Sequence, residues 1–191
     1  MREHPVEPDK VPIDVATLLG EIERGWSPRY LCFWGHRAKP GGAVGKHVLS
    51  QWWPCDLVID DVHYASAEHY MMAEKARLFR DDNALERILT ASSPSDAKTA
   101  GREVTNFVAS TWDSRCFDIV VRGNVAKFSQ SEALREYLLG TGDQVLVEAS
   151  PVDRVWGIGL AADDPRAQIP SRWRGQNLLG FALMRVRVLL G

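Results

Sequence analysis

The residues best suited to chemistry in this chain are two carboxylates, two lysines and an arginine. Glu68 opens the segment Tyr64 to Phe79, YASAEHYMMAEKARLF, after Ser66, whose short hydroxyl suits a helix N-cap. On a wheel of about 100° per residue, Glu68 shares a side with Met71, Met72, Lys75, Ala76, Leu78 and Phe79. Tyr70, Ala73, Glu74 and Arg77 fall on the other side. Glu68 and Lys75 are then two turns apart, about 10 Å along the axis, inside the stripe expected to face the core. A buried charge is costly unless paired. One reading puts a carboxylate and an ammonium on the wall of a pocket. The other puts Glu68 in the first turn for the helix dipole and lets Lys75 snorkel outward.

Asp153 shares a loop with Trp156, Gly157 and Gly159. Backbone there can approach a ligand closely, and the same Asp suits an Asx-turn after Pro151. Trp156 beside two permissive glycines reads as a stacking wall or as core packing. Arg102, directly after the expected helix-ending Gly101, offers a planar fork for phosphate or one half of a salt bridge. Lys127 reads as a nucleophilic amine, a phosphate ligand or a surface charge. Trp112, Trp173 and Asn177 near helix starts suit packing and capping. His36 and His69 titrate near neutrality, yet neither is paired with a Ser or Cys nucleophile at a recognisable motif, which argues against a hydrolytic triad. There is no GxGxxG in a βαβ unit and no GxxxxGK[ST], so neither a Rossmann site nor a P-loop is expected. Cys32, Cys55 and Cys116 lack metal-ligand spacing, so no metal and no cofactor are expected.

The elements that must position these residues read as follows. The stretch 1–12 is a polar arm with Pro5, Pro8 and Pro12, and Ile13 to Arg24 is a short helix with Asp14 in its first turn. Arg29 to His36 is a strand, and Ala38 to Gly45 a loop. Leu57 to Ile59 and Val62 to Tyr64 form a hairpin about Asp60–Asp61, delivering the chain to the Glu68 helix. Helices follow at Asn83 to Leu89, Ser95 to Ala100, Asp113 to Phe128 and Glu132 to Leu139. In the third of these the stripe is Phe117, Val120, Val121, Val125 and Phe128, with Lys127 beside it. Ser131 caps the fourth and Gly140 ends it. Val145 to Glu148 is a β-rich run, Ser150 to Leu160 a loop, and Asp163 to Pro170 an exposed loop. Gln176 or Asn177 opens the last helix. The sum is a mainly α, single-domain α+β protein with a few short strands.

At 191 residues the chain is long enough for one proper core. A net charge of −2 argues against coating nucleic acid through bulk charge but leaves room for local recognition of one base. Seven Trp suggest aromatic surfaces for flat rings. An odd number of Cys, no signal peptide and no apolar run near the length of a membrane span point to a cytoplasmic protein.

FWGH at Phe33–His36, LSQWWP at Leu49–Pro54, YASAEHYMMAEKARLF, KF at Lys127–Phe128, SPVDRVWGIGL at Ser150–Leu160 and WRGQNLLGFALMRVR at Trp173–Arg187 resemble the NADAR (YbiA-like) family, in its order. The resemblance covers about Tyr30 to Leu190. It implies a NADAR domain over 29–191, preceded at 1–28 by an arm and accessory helix. It also implies an N-glycosidase that breaks a ribose C1′–N bond. The first expected substrate is ADP-ribosylated guanine in nucleic acid or nucleotides, with a DarT-type ADP-ribosyltransferase toxin as partner. A riboflavin-pathway ribosylamine is the alternative, and a non-catalytic NAD or ADP-ribose binding module the second. On this resemblance Glu68 and Asp153 are catalytic carboxylates, and Lys127 or Lys75 a Schiff-base amine. Phe33, Trp34, Gly35, His36, Arg102, Trp112, Trp156, Gly157, Gly159 and Asn177 line the substrate site, with the amides around Gly157 and Gly159 holding phosphate. SQW at Ser50–Trp52 stands where many members have SNF, a departure that bears on base specificity.

Overall fold

The computed structural model describes residues 11–37 and 43–191. Most of the expected polar arm, and the centre of the Ala38–Gly45 loop (38–42), lie outside these residues. The framework starts at a hairpin. Strand β2 (Leu57–Ile59) pairs antiparallel with β3 (Val62–Tyr64), Leu57 facing Tyr64 and Ile59 facing Val62. Asp60 and Asp61 turn the corner with φ of 52° and 60°, the left-handed pair that a two-residue hairpin of matching twist requires. Asp enters this conformation more readily than most L-residues, and the Asp60 carboxylate accepts from Arg122.

The hairpin feeds α2 (Ala67–Leu78). Ser66 accepts from the His69 amide and donates its hydroxyl to His69 Nδ1 at 2.7 Å, while His69 Nε2 donates to the Ala91 carbonyl. The ring is thus a neutral clamp between the helix start and the end of α3 (Asp82–Leu89), and burial lowers its pKa. Helices α3 and α4 (Pro94–Arg102) cover one flank of α2, and α6 (Cys116–Ser129) covers another. Consequently Ala67 to Ala73 and Ala76 are all buried, and Tyr70 and Ala73, expected on an outer side, are 1% and 0% exposed. The two-sided wheel fails because this helix is central and its first two turns have no outer face. Gly123 of α6 permits the contact, since a methyl there would overlap the Tyr70 ring.

Two other expectations shift. Gly101 does not end its helix. It lies inside α4, where the missing side chain makes room for Met72, and Arg102 is the last helical residue. On α6 the buried stripe is Cys116, Val120, Gly123, Asn124, Lys127 and Phe128, rotated from the expected one so that Lys127 lies within it. Its polar members are tolerated because they are bonded: Asn124 Nδ2 to Gln51 Oε1 at 2.8 Å and Lys127 Nζ to the Ser50 carbonyl at 2.7 Å.

The remaining elements close the core. Helix α1 (Val15–Glu23), capped by Asp14, packs on a 3-10 turn at Pro170–Arg172. Trp112 lies in a separate short helix, α5 (Ala109–Asp113). After α7 (Glu132–Gly140), whose Ser131 makes no side-chain cap, β4 (Val145–Glu148) pairs in parallel with β1 (Tyr30–Phe33). The stretch expected as an exposed loop contains a 3-10 turn, Pro165–Gln168, with Ala167 and Pro170 buried. Helix α8 (Leu178–Leu190) lies on β4 and α6. Asn177 precedes it with φ of 55° and does not cap it: Oδ1 accepts from the Glu148 amide and Nδ2 donates to the Leu146 carbonyl, both at 2.9 Å. The whole is α+β, mainly helical, with two two-stranded sheets among the described residues.

A Cβ on Gly180 would overlap the Leu146 carbonyl and the Asn177 amide, neither of which is a flexible chain end. Gly180→Ala should therefore lose about 2–3 kcal/mol, a drop in Tm of roughly 5–10 °C for a chain of this size, read by circular dichroism melts.

Candidate active site

Glu68 occupies the first turn of α2, 2% exposed, with its amide bonded to the Gln51 carbonyl. Its Oε1 is sealed from solvent without a hydrogen-bond partner. Desolvation pushes its carboxyl up to about 7, against the pull of Lys98, the Trp52 indole and Arg102, and with a further push from Asp153. Burial thus dominates Glu68 despite its place in the first turn of the helix.

A second, part-exposed carboxyl interacts with it. Glu148, at the end of β4, has an Oε2 that is sealed and unpartnered. Burial, Asp153 and Glu68 together raise it to about 8, while Lys98 and Lys127 oppose the rise. Asp153 does form the Asx-turn: its Oδ1 accepts from the Val155 and Trp156 amides at 2.9 and 2.8 Å. Its charge nevertheless acts on both glutamates. Lys127 is 2% exposed, and burial lowers it to about 8, with Cys55 and Glu148 favouring its charged form. Glu68, Glu148, Asp153, Lys98, Lys127, Arg102 and Trp52 therefore form one electrostatic cluster.

Aromatic and cationic groups surround it. The Lys98 ammonium lies 5.8 Å from the Trp52 ring centroid, and the His36 ring lies 5.7 Å from Trp52. Lys75 donates to the Gly101 carbonyl at 2.8 Å and stands 4.4 Å over Phe107 and 5.7 Å over Trp112. Its pKa is lowered first by burial and then by Arg102. Arg102 is exposed and makes no ion pair among the described residues, so the salt-bridge alternative is not realised.

Several expected site residues serve elsewhere. Phe33 is fully buried, and its carbonyl accepts from the Ala149 amide, so it builds the core and not a ligand wall. Trp34 is 57% exposed and Gly35 turns with φ of 75°. Trp156 is half-buried against the core. Gly157 and Gly159 are buried, and the Ile158 and Gly159 amides donate to the carbonyls of Glu148 and Asp153. Those two amides are engaged by main-chain carbonyls and are not free to hold the phosphate expected near Gly157 and Gly159. Asn177 acts through Glu148, as described above.

Sequence reasoning passed over Glu148, Lys98 and Trp52. Trp52 sat inside the quoted LSQWWP run. Glu148 carried a signal: a carboxylate ending an otherwise apolar strand, VLVE, and followed by a glycine-rich loop. Lys98 carried none. Two surface hollows, of about 460 Å³ near Leu31 and Tyr137 and about 570 Å³ near Cys55 and Leu89, contain no member of the carboxylate cluster. Among the described residues no His, Cys, Asp or Glu group is arranged to hold a metal ion, and no helix is long and apolar enough to cross a membrane.

The NADAR domain profile matches residues 32–191. The chain is 42% identical over 164 residues to an N-glycosidase of Acanthamoeba polyphaga mimivirus, spanning 83% of this chain and 95% of that protein. It is 32% identical over 135 residues to N-glycosidase YbiA of Escherichia coli, spanning 71% and 74%. The NMR structure of the E. coli protein YbiA matches with a TM-score of 0.68 at 26% identity, covering 86% of each chain. With the profile spanning most of the sequence and the fold shared with a solved relative, the chain belongs to the NADAR family.

Proposed function

We propose that this chain is an N-glycosidase that hydrolyses the ribose C1′–N bond of ADP-ribosylated guanine. One observation carries the reading: a desolvated carboxyl, Glu68, with an unpartnered oxygen, set among two further carboxyls, cations and an indole. As the C1′–N bond breaks, positive charge develops at C1′. Ionised Glu68 stabilises that charge and takes a proton from the attacking water, whose oxygen bonds to C1′. Asp153, fixed by its two amides, adds negative potential beside it. Trp52, Phe107 and Trp112 offer faces for flat rings, and Lys98, Arg102 and Lys75 offer charge for a diphosphate. A DarT-type ADP-ribosyltransferase is the enzyme class that supplies such a substrate.

A second reading is favoured by the burial of Lys127. An amine held down to about 8 is neutral far more often near pH 7 than an ordinary lysine. It attacks C1′ of the ring-opened ribose, the nitrogen leaves, and water hydrolyses the resulting imine to free the lysine. Borohydride should then trap a ribosyl adduct on the parent protein and on Lys75→Ala, but not on Lys127→Ala. Turnover without any adduct removes this route.

The main test offers an oligonucleotide bearing ADP-ribosyl-guanine and, in parallel, riboflavin-pathway ribosylamines, and follows released sugar by mass spectrometry. Release from the oligonucleotide is expected, with Glu68→Gln slower by about 10²–10⁴-fold. Release from the ribosylamines alone reassigns the substrate, and binding without release reduces the protein to an ADP-ribose module.

The variant should also be folded. A carboxyl raised from 4.5 to about 7 favours the fold while neutral, so its contribution is full below pH 4.5 and lost as pH rises through about 7. Glu68→Gln should therefore be the more stable protein at pH 8, by on the order of 3 kcal/mol, the gap closing towards pH 4.5 in melts at both values.

A further inference from the structure

Hydrolysis of a C1′–N bond needs a proton for the departing nitrogen as well as a base for water, and the reading above supplies only the base. The inference made here rests on that reading. Glu148 is the best-held carboxyl in the cluster. Its amide donates to Asn177 Oδ1 and its carbonyl accepts from the Ile158 amide, each at 2.9 Å, and its Cα is registered opposite Phe33. Gly157 has no side chain to collide with the Glu148 carbonyl, which a Cβ would approach to 2.8 Å. With the main chain fixed on every side, Oε2 is sealed and unpartnered, as Oε1 of Glu68 is. Buried polar oxygens are nearly always bonded, so an orphan carboxyl oxygen is one that favours holding a proton, and Glu148 as a residue is part-exposed, so the rest of its carboxyl can meet a substrate atom. Asp153 is a poorer candidate because its Oδ1 is committed to two amides.

We propose that Glu148 is the general acid, carrying a proton in the resting enzyme and delivering it to the nitrogen that leaves C1′. The water oxygen bonds to C1′, and the electron pair of the C1′–N bond passes to nitrogen. Glu68 gains the water proton and Glu148 loses its own. Proton transfer from Glu68 back to Glu148 restores the starting state without another reactant.

The surroundings of Glu148 agree with this division of labour. Glu68 acts on it from α2, Asp153 from the loop after β4, Lys98 from α4 and Lys127 from α6, and the neutral Asn177, just before α8, bonds its amide. Burial and acidic neighbours raise both carboxyls, and Glu148, whose main chain is the more firmly fixed, takes the proton the pair retains. Glu148 works protonated, so the rate falls as pH rises through its titration. Glu68 works ionised, so the rate falls as pH drops through its own. The active form is the pair holding one proton, which gives a bell-shaped profile.

The experiment compares Glu148→Gln, Asp153→Asn and Glu68→Gln on the N-ribosyl substrate and on a nitrophenyl riboside, whose leaving group departs without a proton. Glu148→Gln should lose about 10²–10⁴-fold on the first and less than about tenfold on the second, with the alkaline limb gone. Equal losses on both, or a retained alkaline limb, would overturn the assignment. Asp153→Asn should keep that limb; its loss there and not in Glu148→Gln would transfer the role to Asp153. An active Glu68→Gln would instead sink the base and leave the acid to be judged by its own limb. Without turnover, infrared spectra at pH 7 should show a neutral carboxyl band weakened in Glu148→Gln, and an unchanged band would overturn the resting proton.

Discussion

The structure depends on keeping a carboxylate out of water at the start of its central helix. Helix α2 is enclosed by α3, α4 and α6, and Glu68 sits in its buried first turn. No cation pairs directly with its buried oxygen. The local dielectric therefore decides its behaviour, and the neighbouring charges act as corrections. Everything that fixes α2 fixes this group: the tight Asp60–Asp61 corner, the Ser66 cap, the His69 clamp to Ala91, and the Gln51 carbonyl on the Glu68 amide.

Lys127 shows the same economy of position. An ammonium in the buried stripe of α6 is tolerated because it donates to a carbonyl and lies near two groups that favour its charge. A hydrophobic residue of similar length would fill the space without the desolvation cost. A buried carboxyl, a second part-exposed one and a buried amine in one cluster are what a site for charge-separating chemistry looks like, and a core optimised for stability alone would avoid it.

Much of the local structure was legible in the sequence. The hairpin and its turn, the Ser66 cap and the β4 run carried strong signals because each is decided by residues adjacent in sequence. What was not legible depended on neighbours. Gly101 reads as a helix stop when glycine is taken for its conformational freedom, whereas here it is a gap filled by Met72. The α6 stripe was mis-rotated because Asn124 and Lys127 look like surface residues until Gln51 and Ser50 are placed against them. In the site, Glu68 was found because it broke an apolar stripe on a helix. Glu148 was missed because a terminal strand residue breaks no pattern; only the parallel pairing and Asn177 turn it inward, and both are long-range.

That parallel pairing has a consequence in time. Strands β1 and β4 join Tyr30–Phe33 to Val145–Glu148, and Asn177 reaches back across a further 29 positions to hold Glu148. Contacts so distant along the chain form late, after the local helices and the hairpin. During synthesis the two glutamates are therefore brought together only when nearly the whole chain has emerged. Until then each remains hydrated, so the repulsion and desolvation that define the cluster are imposed in one closing step on an otherwise assembled helical core.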